Sequence, residues 1–124
     1  MSLLSKWFGR QPEPSVVLDF LAVTPGRPLA EKDFPRAAVV VLNLNGRHHL
    51  DLCFQSLAEI DYPKDRLEVI LVDNGSGDGS LAEMRAKHPW VRLVENDRNL
   101  GFSAGSNQGA HAAKDPGVLV FLNN

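Results

Sequence analysis

The sequence predicts an α/β fold with a Rossmann-like, mostly parallel sheet and helices on both faces. Three observations carry that prediction. Continuous apolar runs at Ala37–Leu42, Val69–Val72 and Val118–Leu122 have the length of strands; the first has the unbroken hydrophobicity of a strand covered on both faces, and the second reads as buried. The first two runs stop at turns built from Asn, Gly, Ser and Asp, and the segments between runs carry apolar residues at helical spacing.

Taken in order, residues 1–36 form an amino-terminal extension, partly irregular, that either packs on the domain or stays without order. Pro12, Pro14, Pro25, Pro28 and Pro35 keep a long helix from crossing it. Val16–Val23 has the composition of an edge strand or a short helix. Trp7-Phe8, beside Lys6 and Arg10, offers a membrane surface a contact too short to anchor alone. The domain proper covers residues 37–124. Its first strand ends at the turn Asn43-Leu44-Asn45-Gly46, and Arg47–Glu59 follows as a helix with Leu50, Cys53, Phe54, Leu57 and Ala58 on one face. Tyr62-Pro63-Lys64-Asp65 stops that helix before the central strand Leu67–Val72. A second helix, Leu81–His88, is expected to start from Ser80 as N-cap with Glu83 closing a capping box. Pro89 ends it. Val91–Glu95 reads as a short strand of mixed polarity near a sheet edge. Leu100–Ala113 is a loop running into a small-residue helix, Asp115-Pro116-Gly117 a turn, and Val118–Leu122 the last strand.

Composition narrows the function. With 124 residues, 13 Lys+Arg against 15 Asp+Glu and no long basic run, nothing points to a nucleic-acid partner. The single cysteine, Cys53, lies in a helical segment and reads as a structural thiol. No apolar stretch is long enough to cross a bilayer and no secretory signal is recognisable, so the expected location is cytoplasmic, peripheral to the inner face of the membrane.

In a β-α-β-α-β-α-β order with right-handed crossovers, the carboxyl ends of parallel strands share one edge, where such sheets bind ligands. Asn43–Gly46, Asp73–Ser80, Asn96–Gly105 and Asn123-Asn124 should converge there. Their side chains exceed what turns require: Asn43, Asn45, Asp73, Asp78, Asn99 and Asn107 can read a base or ribose through hydrogen bonds. Asp73, at the end of the central apolar strand, is the expected centre. The loop Asn74–Gly79 also resembles the start of an EF-hand, but Arg85 stands where the closing Glu belongs, so calcium is rejected. Gly101, Gly105 and Gly109 recur every fourth residue and read as close helix packing or backbone approach to a ligand. They carry neither the P-loop ending nor the dinucleotide fingerprint. His48, His49, His88 and His111 lack ligand spacing and are expected at the surface.

Together these stretches resemble the family-two glycosyltransferases, inverting enzymes of the GT-A fold, with a likeness to the rhamnosyltransferase-like branch. The resemblance covers about Ala38 to Asn124 and uses four ordered motifs: Val-Leu-Asn-Leu-Asn-Gly, Val-Asp-Asn-Gly-Ser-x-Asp-Gly-Ser, Asn-x-Gly-Phe-x-x-Gly-x-Asn-x-Gly and Phe-Leu-Asn-Asn. It implies that Asn43, Leu44, Asn45, Asp73, Asn74, Gly105 and Asn107 hold the nucleotide of a UDP- or dTDP-type sugar donor. Leu44 stands where members often carry a base-stacking aromatic residue, and Asn74 where many carry a second Asp. The family's Asp-x-Asp-type motif binds Mg²⁺ or Mn²⁺, which neutralises the diphosphate leaving group. Here Asn123 takes its first position and Asn124 the middle one, and the sequence ends before the position of the decisive Asp. The expectation is therefore a truncated donor-binding half of a hexosyl-transferring enzyme of polysaccharide biosynthesis, inactive alone, which binds nucleotide weakly and whose exposed sheet either self-associates or is buried by the amino-terminal extension. The alternative is a non-catalytic nucleotide-binding or interaction module of the same fold. A nucleotidyltransferase is disfavoured by the absence of a basic, Gly-rich first loop.

Overall fold

The computed structural model describes residues 30–123. The expectations for Trp7-Phe8, Val16–Val23 and Asn124 lie outside the described residues. A 3-10 turn, Glu31–Asp33, leads into strand β1 (Ala37–Asn43). Helix α1 (Arg47–Ala58), strand β2 (Leu67–Asp73), helix α2 (Ser80–Lys87), strand β3 (Arg92–Glu95), helix α3 (Phe102–Ala112) and strand β4 (Val118–Asn123) follow. All four strands are parallel, in the order β3-β2-β1-β4, with Ala37 opposite both Leu67 and Val118.

Strand side chains alternate between the two faces, so β1 and β2 feed two cores. On one face Val39, Val41, Val69 and Leu71 pack with Leu50, Phe54 and Leu57 of α1, Met84 of α2 and Val91. On the other, Val40, Ile70 and Val72 pack with Leu42, Val94, Ala112 and Ala113 beneath α3. The expected two-sided covering of the central strands is what the structure shows. Small residues bring α3 close to the sheet: a Cβ on Gly109 would run into Val40 Cγ1, and one on Gly105 would stand 2.5 Å from Leu42 Cδ1. The four-residue glycine spacing is thus used for close packing. No helix among the described residues is long and apolar enough to cross a membrane.

Three local expectations are corrected. Ser80 does not cap α2 through a capping box; the helix starts at Ser80 itself, after Gly79 in the left-handed region (φ 84°). Asp78 Oδ1 accepts from both the Ser80 amide (3.0 Å) and the Ser80 hydroxyl. The Ser80 hydroxyl therefore donates rather than accepts, and Glu83 turns instead to Arg47 and Lys87. The third strand starts at Arg92, because Val91 N–H closes a turn on His88 O (3.0 Å) and its side chain joins the core. His88 is not a surface residue. It is buried against Phe54 and Trp90, and its Nε2 lies 2.9 Å from Asp51 Oδ1. His48, His49 and His111 are exposed as expected. Cys53 is half-buried beside the core, and that burial pushes its thiol up.

Candidate functional site

The loops after β1, β2 and β3 converge at the carboxyl edge, held by side chains rather than by bulk. β2 delivers Asp73 fully buried, and both its carboxylate oxygens are engaged from above. Oδ1 accepts from Asn43 Nδ2 (2.8 Å) and Ser76 Oγ (2.6 Å), and Oδ2 accepts from the Ser76 amide (2.8 Å). Asn43, equally buried at the end of β1, spans the gap between strands: its Nδ2 also donates to Ser76 Oγ (3.1 Å) and its Oδ1 accepts from Gly46 N (3.0 Å). A carboxylate enclosed this way needs all those donors, since an unmatched buried charge is far more costly than a matched one.

A second, uncharged network runs outward from Asn74. Its Oδ1 accepts from Asn96 Nδ2 (2.9 Å), and its Nδ2 donates to Asn99 Oδ1 (3.3 Å) and Gly101 O (3.2 Å). Asn96 and Gln108 exchange two amide hydrogen bonds at 2.7 and 2.9 Å, tying the loop after β3 to α3. Among the described residues no buried side-chain nitrogen or oxygen lacks a partner. The edge is therefore preorganised.

Flanking the edge, Arg47 lies between the first two loops, bonded to Glu83 (2.5 Å), while its own amide donates to Asp78 Oδ2 (3.0 Å). Hydrogen bonding and charge from Glu83 raise the Arg47 guanidinium further. The Ser80 hydroxyl, and then the Arg47 and Ser80 amides, hold Asp78 below the usual carboxylate range.

Of the residues expected to hold a nucleotide, Asn43, Asp73, Asn74 and Gly105 are buried and form the floor. Leu44, 46% exposed, and Asn45, in the left-handed region at φ 54°, stand on its rim. Asn107 is exposed on α3, with no hydrogen bond into either network. Asn123 ends β4 beside Leu42, bordering a cleft of about 190 Å³ lined by Val40, Phe102, Ser106 and Phe121. The described residues gather no group of three or more His, Cys, Asp or Glu, and Asn123 offers a neutral amide. Three participants were missed by sequence reasoning, namely Ser76, Asn96 and Gln108. The signal for Ser76 was its place three residues after Asp73, the spacing at which a capping side-chain oxygen accepts from a following amide. A larger hollow of about 600 Å³ opens at the opposite end of the strands, near Arg36, Arg66, Trp90 and Lys114. The strand-end loops do not reach it, so the site is assigned to the carboxyl edge.

Comparisons with known proteins identify the family. The sequence matches the family described as Glycosyl transferase family 2 over residues 38–124. Glycosyltransferase AglE of Haloferax volcanii is 26% identical over 92 residues, covering 72% of this chain and 30% of that protein. Beta-monoglucosyldiacylglycerol synthase of Synechocystis sp. is 31% identical over 77 residues, 60% of this chain and 16% of that protein. Among solved structures, the mannosyltransferase PcManGT from Pyrobaculum calidifontis, in complex with GDP-Man and Mn²⁺, superposes with a TM-score of 0.69 at 25% identity, over 98% of this chain and 34% of that one. S. aureus TarS 1-349 shares the fold, with a TM-score of 0.60 at 24% identity, over 71% of this chain and 27% of that one. The chain thus spans about a third or less of the length of these relatives. Its sheet is that of the GT-A glycosyltransferases, and the chain belongs to glycosyl transferase family 2.

Proposed function

We propose that this chain is the donor-recognition part of a glycosyltransferase, and that the whole protein moves a hexosyl group, with inversion, from a nucleoside-diphosphate sugar to an acceptor hydroxyl. The observation that carries the reading is the saturated polar floor at the ends of β1 and β2. Asp73, Asn43 and Asn74 spend their hydrogen bonds on shaping the edge. Direct contact with the base then falls to the rim, where Leu44 offers an apolar side chain and Asn45 an amide. The donor is proposed to be of UDP or dTDP type. A guanine nucleotide is the competing choice, since GDP-Man is bound in the mannosyltransferase of similar fold. Mg²⁺ or Mn²⁺ belongs to the whole protein in this reading, where it would stabilise the departing diphosphate. A cytoplasmic location at the inner membrane face remains part of the proposal, from Trp7-Phe8 beside Lys6 and Arg10.

Isothermal titration of the chain with UDP, dTDP and GDP, with and without Mn²⁺, tests it. Saturable binding of one nucleotide supports the donor site and names the base; no heat with any of the three overturns it. A non-catalytic nucleotide-binding module is the second reading, favoured by the neutral Asn123 where a metal carboxylate is expected. Sugar transfer by the full-length protein would exclude it.

A further inference from the structure

Three consecutive backbone amides at the β1–α1 turn are each taken by a side chain. Asn45 N donates to Ser76 Oγ (2.8 Å), Gly46 N to Asn43 Oδ1 (3.0 Å) and Arg47 N to Asp78 Oδ2 (3.0 Å). Free backbone amides at a helix start make an anion site; these three are already spent. Recognition at this turn therefore depends on where its rim side chains stand, and that is fixed from the neighbouring loop. Ser76 is the point of attachment. Its hydroxyl proton goes to Asp73 Oδ1, and its two lone pairs accept from Asn45 N and Asn43 Nδ2, so its capacity is full. One residue on, Gly77 N donates to Asn45 Oδ1 (2.9 Å). Asn45, in its left-handed conformation, is thus gripped at both its amide and its side chain by residues more than thirty positions away.

We propose that Ser76 is the positioning residue of the donor site, its hydroxyl locking the β1–α1 turn so that Leu44 and Asn45 are already placed when the nucleotide arrives. The inference rests on the donor reading above and names the device that tunes it. Removing the hydroxyl takes one of three donors from Asp73 and one of two acceptors from Asn43 Nδ2, but Asp73 keeps Asn43 Nδ2 and the backbone amide of residue 76, and Asn43 keeps Asp73. The Asn45 amide, by contrast, loses the acceptor that ties the turn to the neighbouring loop.

The test uses the whole 124-residue chain unaltered, as Ser76→Ala and as Ser76→Thr. Amide hydrogen exchange is resolved by residue, and binding is titrated with UDP, dTDP and GDP. In Ser76→Ala the Asn45 and Gly77 amides should exchange about tenfold faster while the Val41 and Leu71 amides do not change, as expected for the loss of one net hydrogen bond. The dissociation constant of the bound nucleotide should rise about five- to tenfold by the same arithmetic, and Ser76→Thr should restore both readouts. Unchanged turn amides, or strand amides loosened as much as the turn, overturn the lock. A faster turn with unchanged nucleotide affinity overturns the positioning role. If the unaltered chain binds none of the three nucleotides while the turn accelerates as stated, the donor reading fails and the lock stands.

Discussion

At the carboxyl ends of β1, β2 and β3 every buried polar side chain has its partner, whereas β4, next to β1, leaves five consecutive large apolar side chains 37–51% exposed. The contrast extends to the sheet edges. β3 is four residues long, with Arg92 and Glu95 paired to Glu68 and Arg85, the usual means of blunting an edge. β4 reads Val-Leu-Val-Phe-Leu-Asn, without a charge, a proline or a bulge. One half of the ligand edge is thus finished as built. On the other, Val118, Val120 and Leu122 on one face and Leu119 and Phe121 on the opposite face remain exposed, and Phe121 shares only an open cleft with Phe102 and Ser106 of α3. The finished half shapes a pocket rim; the open half adjoins the place where the family's metal motif is expected. Under the proposed function, recognition and chemistry divide along the boundary between β1 and β4.

The sharpest way to break this contrast is to unmake the finished half. Asp73→Ala leaves Asn43 Nδ2, the Ser76 hydroxyl and the Ser76 amide without their shared acceptor in a site closed to water. Stability should fall by about 3 kcal/mol or more, read as a lower urea midpoint. Nucleotide binding should be lost with it. A midpoint within about 0.5 kcal/mol of the unaltered chain would mean that the network is not the brace described.

The open half should respond in the opposite way. Self-association through β4 is expected, because a long, uncharged, apolar edge is a template for pairing. Val120→Lys should shift the chain toward monomer in light scattering while changing stability by no more than about 1 kcal/mol, since the site is half-exposed. A chain that is monomeric without the substitution would remove β4 from the interaction surfaces.

The smallest effect is that of pH. Asp51, Asp78, Glu83 and Glu68 are all held below their ordinary values. Hydrogen bonds lead for the first three: from Lys87 and His88 to Asp51, from Ser80 to Asp78, and from Lys87 and Arg47 to Glu83. For Glu68 burial pushes upward, but the Lys114 amide and Arg92 together outweigh it. Carboxylates that ionise more readily in the folded chain than in the unfolded one add stability above the unfolded range, and that stability is lost as pH falls through the folded values. The melting temperature should thus be nearly flat from about pH 7 to pH 5 and decline below about pH 4. The loss should be modest because these groups lie at the surface. A decline already complete at pH 5 would contradict this assignment.

Much of the frame was legible in the chain. Ala37–Leu42 and Val69–Val72 declared themselves as buried strands because both faces are covered, which removes polar alternation from the sequence. The convergence of Asn43, Asp73 and Asn74 followed from strand polarity alone. What periodicity could not reveal was partnership across distance. The burial of His88 depends on Asp51 and on Phe54, both on another helix. The start of α2 depends on Asp78 reaching Ser80 before Ser80 can cap anything. Above all, the sequence marked Asp73 as a ligand-edge carboxylate without showing that Ser76 and Asn43 fill it, which turns a supposed contact residue into a foundation.

The central claim, that a nucleotide meets a rim already set by Asp73, Asn43 and Asn74, is tested most directly by mapping amide chemical shifts of the nitrogen-15-labelled chain during titration with UDP, dTDP and GDP. The account predicts that one nucleotide shifts the amides of residues 43–46, 74–77 and 99–105, leaving those at Arg36, Arg66 and Arg92 unmoved. Shifts confined to that opposite end of the strands, or none at the loops with any nucleotide, would contradict it.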